Sequence, residues 1–170
     1  NGALQGAYES FVCVLNPDVE ILQDEEPFAS LVSTAAQPDV GCAYPVQLDY
    51  AGVVQDSERE LPSPAALWSR RVLGRPQRRI DWVNAACLVI PLHVWTASRG
   101  FDEGYFMYCE DVDLCLRIRL LGWELRRAPA RVVHAGSRAS NRQWRHLAWH
   151  IRSLLRLWFS APYRQMGKYD

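Results

Sequence analysis

No stretch of the 170 residues is apolar over anything near the roughly 20 positions that span a bilayer, and no secretory-signal pattern is present. The five cysteines (13, 42, 87, 109 and 115) are odd in number and form no Cys-x-x-Cys pair. That disfavours a disulfide framework. The apolar surroundings of Cys13, Cys87 and Cys115 predict buried, reduced thiols in a cytosolic protein. Lysine is nearly absent, since eighteen of the nineteen basic residues are Arg. No internal repeat is visible. There is no initiator Met, and Asn1-Gly2 opens directly into an apolar alternation, so the chain is expected to be a fragment that begins mid-fold. What is present is ordinary in amount: 49% hydrophobic and 22% charged residues allow one domain with a real core. The net charge of zero conceals an asymmetry. Residues 1–60 hold eleven acids and one Arg, whereas residues 138–170 hold six Arg and one Lys against one Asp. Such a tail is suited to an anionic surface or partner.

Residues 3–9 read as the last turns of a helix. Residues 11–15, FVCVL, read as a strand buried on both faces of a mostly parallel sheet. Asn16-Pro17-Asp18 ends it and presents Asp18 at the strand's carboxyl end, where open α/β sheets bind ligands; a plain turn is the alternative. Asp24, Glu25 and Glu26 open a helix with Pro27 in its first turn. Residues 40–48 read as a strand with an edge or bulge at Pro45. Asp49 to Gly52 form a turn, and the chain returns through Val53-Val54. Residues 56–79 are irregular, with a short helix from Pro64 to Leu73. Their Arg70, Arg71, Arg75, Arg78 and Arg79 suit a diphosphate or lipid surface, or are simply solvated. Residues 80–90 read as one long central strand whose small Asn84-Ala85-Ala86 would admit a ligand or another backbone. Residues 91–98 form a short helix. Another runs from Glu110 to Leu121 on the spacing of Leu114, Ile118 and Leu121, stopped by Gly122. Residues 123–125 and 130–133 read as two short strands around Ala128-Pro129. A basic amphipathic helix covers 142–159. We divide the chain into an α/β domain, 1–140, and a helical tail, 141–170.

Three carboxylates, Glu110, Asp111 and Asp113, crowd four positions at a helix start. The helix dipole stabilises an acid there by roughly 0.3–1 kcal/mol, which accounts for one of them. Three in an apolar frame repel, and at least one pKa should rise, as suits a general base taking a proton from a hydroxyl. Successive residues project about 100° apart, so the three cannot share a role. His134 closes a strand before a Gly-Ser loop. With Asp18 it offers a nitrogen-and-oxygen site for Mn²⁺ or Mg²⁺, or it is a structural His.

In order, LNPDVEI (15–21), WVNAACLVI (82–90), GFDEGYFMYCEDVDLCLRIRLLGW (100–123) and VVHAGSRAS (132–140) resemble glycosyltransferase family 2, the inverting GT-A enzymes, and its bacterial rhamnosyltransferase-like members. The resemblance implies an α/β, Rossmann-like GT-A fold: a mixed, mostly parallel sheet flanked by helices, incomplete at the N-terminus, with the amphipathic helix appended. It implies that Asp111 is the catalytic base and that Asp18 and His134 bind Mn²⁺ or Mg²⁺. Asn16 stands in place of the first Asp of an Asp-x-Asp motif. It implies a donor- and acceptor-binding region at Trp82, Asn84 and Ala85, with Asn84 where Gly is more usual. Asn16, Asp102, Glu103, Glu110 and Asp113 are counted with these donor- and acceptor-binding residues. The implied partners are a nucleotide-sugar donor and a glycan or lipid-linked acceptor, with no nucleic acid. A cytoplasmic place is expected, and the helix at 142–159 either packs on the domain or lies on an anionic membrane at the inner face of the plasma membrane. The nucleotide-binding half of the family has no counterpart here. A catalytically inactive remnant that serves as a binding or structural module is therefore the alternative.

Overall fold

The computed structural model describes residues 9–22, 26–63, 79–134 and 143–167, the side chains of the last stretch from residue 146 onward. Residues 3–8 of the helix expected at 3–9, the helix from Pro64 to Leu73, Asp24, Glu25, the four arginines between 70 and 78, and the Gly136-Ser137 loop lie outside the described residues.

The described residues form seven strands: β1 Phe11–Leu15, β2 Val19–Glu20, β3 Val40–Leu48, β4 Glu58–Arg59, β5 Trp82–Val83, β6 Cys87–Pro91 and β7 Glu124–His134. The helices are α1 Pro27–Ala35, α2 Leu92–Ser98, α3 Glu110–Leu120, α4 Gln143–Phe159 and α5 Ala161–Met166. Five strands make one sheet in the order β1-β6-β3-β7-β2, and β4 pairs with β5 separately. The architecture is mixed α/β, with helices flanking the sheet. It is not mostly parallel: β3 and β7 run parallel, while β1–β6, β3–β6 and β2–β7 are antiparallel. An apolar run reports burial and carries no strand direction. FVCVL is also not buried on both faces, because β1 ends the sheet order and leaves Cys13 and Leu15 exposed. Cys13 therefore departs from the expectation of buried thiols, whereas Cys42, Cys87, Cys109 and Cys115 are buried, and all five are free.

The expected strand 80–90 is broken. Asn84 to Ala86 turn between β5 and β6, and the two halves join different sheets. The reverse holds at 124–134. Two expected strands are one, because the ladder skips residues: Tyr44 pairs Arg127 and Val46 pairs Arg131. Pro129, which has no N–H to donate, lies in the skipped stretch of β7, opposite Pro45.

The core follows from β3, whose Val40 to Pro45 are all buried. On one side it meets α3, which buries Val112, Leu114, Cys115, Leu116 and Ile118. Leu157 of α4 and Met166 of α5 complete that cluster. On the other side Leu31 and Ala35 of α1 cover Ala43, Val89 and Val132. At Gly41, β3 packs tightly against Ile118 of α3. A Cβ there would lie 2.5 Å from Ile118 Cγ2 and 2.6 Å from Trp123 Cβ. Gly41→Ala should therefore cost about 1–3 kcal/mol by urea denaturation. An unchanged midpoint would show that this contact relaxes freely.

The register decides what the sheet presents. Leu15 of β1 pairs Cys87 of β6, and Leu48 of β3 pairs Val133 of β7. The carboxyl ends of β1, β3 and β7 and the amino end of β6 therefore lie along one edge. Residues 16–18 run along it, tied by the Asn16 N–H donating to the Ala86 carbonyl at 2.8 Å. They deliver Val19 to its partner His134.

Candidate active site

Helix α3 starts without a side-chain cap. The two residues before it, Tyr108 and Cys109, both adopt left-handed backbone, with φ of 69° and 67°. Neither is glycine, so this is stored strain, held from outside. Ser153 Oγ of α4 donates to the Met107 carbonyl at 2.7 Å, and the Tyr108 hydroxyl is hydrogen-bonded to His146 Nδ1 at 2.9 Å. Arg156 of α4 pairs with Asp102 at 2.8 Å, which holds that carboxyl below its usual range, and stacks over the Tyr105 ring.

The three acids then part company. Asp113 is buried and pairs one turn on with Arg117 at 2.7 Å, yet burial outweighs its partner and its pKa is raised. Its role is in the framework of α3. Asp111 accepts from the Val112 N–H at 2.8 Å and is pushed up to about 6, first by burial and second by the charge of Glu110. Its own backbone contact and the Arg59 guanidinium act the other way. Oε2 of Glu110 is buried with no hydrogen-bond partner among the described residues. A carboxyl near pKa 6 can accept a proton at neutral pH and hold it.

The hairpin β4–β5 faces this helix. Arg59 pairs with Trp82 in the ladder and lies over its ring at 5.3 Å, while the Trp82 indole donates to the Glu60 carbonyl at 2.9 Å. Asn84 leaves the hairpin and forms a two-way amide pair with the buried Gln47 of β3, donating at 3.1 Å. Ala85 lies in the turn beyond it. Asn84 is thus engaged inside the protein at the same edge as the strand ends.

At that edge Asp18 and His134 meet, with Oδ2 of Asp18 at 3.4 Å from Nε2 of His134. Gln55 donates to the His134 carbonyl at 2.7 Å, and His134 Nδ1 is buried without a hydrogen-bond partner among the described residues. Asp18 and His134 are therefore brought together. No group of three or more His, Cys, Asp or Glu converges among the described residues. Two donors suit a divalent ion that takes its other ligands from phosphate oxygens and water. Asn16 contributes backbone hydrogen bonds at the edge. Glu103 is exposed in the loop beyond Asp102.

Arg59 and Gln47 were not singled out from sequence. Arg59 left a signal, as the lone base among eleven acids in the first sixty residues. Because its charge holds the Asp111 pKa down, Arg59→Ala should move the acid limb of the activity–pH profile to higher pH. An unmoved limb would show that Arg59 acts only on Trp82.

The Asp18–His134 pair at a strand edge and the raised carboxyl that opens α3, on a mixed α/β fold, are groups that can handle a cation and a proton. Curated relatives point the same way. The chain is 37% identical over 79 residues to the rhamnosyltransferase WbbL of Escherichia coli strain K12, a match covering 45% of this chain and 30% of that protein. It is 30% identical over 184 aligned positions to the N-acetylglucosaminyl-diphospho-decaprenol L-rhamnosyltransferase of Mycobacterium tuberculosis, covering 92% of this chain and 59% of that protein. It is 27% identical over 147 positions to the O-antigen biosynthesis protein RfbC of Myxococcus xanthus, covering 79% of this chain and 12% of that protein. No protein-family model matches the chain. The chain is a homologue of the bacterial rhamnosyltransferases and falls with glycosyltransferase family 2, as its motifs imply. It spans about three-fifths of the mycobacterial relative's length and less than a third of WbbL.

Proposed function

We propose that this chain carries the catalytic segment of an inverting GT-A glycosyltransferase that moves a sugar, rhamnose from dTDP-rhamnose, onto a lipid-linked or cell-surface glycan. The observation that carries this reading is Asp111, poised at about 6 at the start of α3 in a homologue of rhamnosyltransferases. Asp111 takes the proton of an acceptor hydroxyl. The hydroxyl oxygen bonds the anomeric carbon from the face opposite the leaving group. The bond to the diphosphate breaks with its electron pair, and configuration inverts. Asp18 and His134 would hold Mn²⁺ or Mg²⁺, whose charge would neutralise the departing diphosphate. Glu110 keeps Asp111 basic, and Asn84, Ala85 and Trp82 border the space for the sugars. An acceptor on a polyprenol places the work at the inner face of the plasma membrane.

The test is transfer by the full-length natural protein from dTDP-rhamnose to polyprenyl-diphosphate-linked N-acetylglucosamine, with Mn²⁺ and with chelator. We expect an inverted linkage, loss with chelator, and a higher metal requirement in His134→Ala. A folded full-length protein that transfers from no dTDP-, UDP- or GDP-sugar to lipid-linked acceptors would end this reading.

A further inference from the structure

Helix α4 has two faces with different fates. His146, Ser153 and Leu157 turn inward: His146 and Ser153 hold the Met107–Tyr108 backbone and side chain, and Leu157 is fully buried. On the other side Leu147, Ile151, Leu155 and Phe159 recur every four residues and are 48%, 49%, 45% and 75% exposed. Four large apolar side chains in register along one helix, open to water, form a continuous strip where scattered single residues would need no explanation. Phe106, 77% exposed, extends the apolar surface from the loop before α3, its ring 5.2 Å from that of Trp149.

Charge identifies what covers the strip. Between residues 138 and 169 the sequence has six Arg, one Lys and no Asp or Glu. Arg152, one position and about 100° round from Ile151, is exposed at the strip's border. Arg156, one turn further on, is paired with Asp102 and belongs to the inward contacts. An apolar strip bordered by Arg on a helix too short and too charged to cross a bilayer is the form of a helix that lies in a lipid headgroup layer. A second copy of this chain would bring the same net positive segment against itself, which disfavours self-association through this face.

We infer that α4 docks on an anionic lipid surface through Leu147, Ile151, Leu155 and Phe159. Because its other face grips the loop before Asp111, docking sets that loop at the lipid–water boundary. The docking surface stands on its own geometry, and its use to meet a lipid-borne acceptor rests on the proposed transferase activity. Leucine and isoleucine enter the acyl boundary, and Arg152 meets phosphate.

The test is sedimentation of the full-length protein with vesicles of phosphatidylethanolamine and phosphatidylglycerol, against vesicles of phosphatidylcholine. A triple variant, Leu147→Glu, Ile151→Glu and Leu155→Glu, is compared with the wild type, with its fold checked by circular dichroism and its mass by analytical ultracentrifugation. We expect salt-sensitive binding to the anionic vesicles only, weakened about tenfold or more in the variant. Transfer to a water-soluble acceptor analogue should be retained, and transfer to the vesicle-borne acceptor lost. Equal binding of variant and wild type overturns the inference. So does equal binding to both vesicle types, or a variant that only changes from dimer to monomer. Strip-dependent binding by a protein that transfers no sugar supports the docking surface and removes the transferase reading instead.

Discussion

Asp111→Asn in the full-length protein should lower kcat by about 10²–10⁴-fold and, at neutral pH, make the protein more stable. The two effects share one cause. Burial and Glu110 raise the Asp111 pKa to about 6, so the folded state pays to hold this carboxylate charged. An unfolded Asp titrates near about 3.9. Between those values the folded state binds the proton more tightly than the unfolded one, so stability falls as pH rises from about 4 to 6 and stays low above. Asparagine keeps an oxygen for the Val112 N–H, fits the same volume and carries no charge. At pH 7 the variant should gain about 1–3 kcal/mol by urea denaturation, and below pH 4 the two proteins should coincide. The wild-type kcat/KM should climb through about pH 6 and level off. Strain at Tyr108 and Cys109 beside a destabilised carboxylate is the trade that active sites make. Full activity in the variant would remove Asp111 as the base. Lost activity with no gain in stability would show that the carboxylate finds compensation in the fold.

How much of this was legible in the chain can be argued residue by residue. The helix from Glu110 was, because Leu114 and Ile118 repeat at helical spacing and Gly122, at φ 94°, can turn the chain as an L-residue rarely does. The convergence of Asp18 with His134 was also legible, since each follows an apolar run and strand ends share an edge. Strand direction was not, because FVCVL and VGCAYPVQL look alike in parallel and antiparallel ladders. The break at Asn84–Ala86 was missed for a related reason: apolar residues continue on both sides of it, and only tertiary pairing reveals two sheets. The left-handed pair before α3 left no trace, because Tyr and Cys carry no preference for that conformation. Ser153 and His146, some forty residues later, impose it. The exposed strip on α4 was half legible. Amphipathicity was plain, but only packing shows that the inward face is the one with His146, Ser153 and Leu157.

Asp81→Ala should unfold the protein more readily than any other change to a charged side chain described above. Asp81 is 1% exposed and serves three partners. It accepts from Leu61 N at 2.8 Å, pairs with Arg79 at 2.8 Å and with Arg119 of α3 at 2.6 Å, and these contacts hold its pKa below the usual carboxylate range against the cost of burial. Alanine strands the Leu61 N–H and leaves Arg119 without this carboxylate. A broken buried pair costs about 3–5 kcal/mol, and the partial exposure of both arginines brings this to about 2–4 kcal/mol. Asparagine should recover part of that loss, because it can still accept from Leu61. The lowered pKa fixes the pH window: the contribution is present above the unfolded carboxylate range and is lost as pH falls through the lower folded value, so the wild type and the variants should converge in acid. Function should follow. Asp81 ties the segment after Arg59 to α3, and Arg59 is the charge that lowers the Asp111 pKa. In Asp81→Asn, if the protein remains folded, the acid limb of the activity profile should therefore shift upward, in the direction of Arg59→Ala. Loss of stability without that shift would separate the framework role of Asp81 from the tuning of the base.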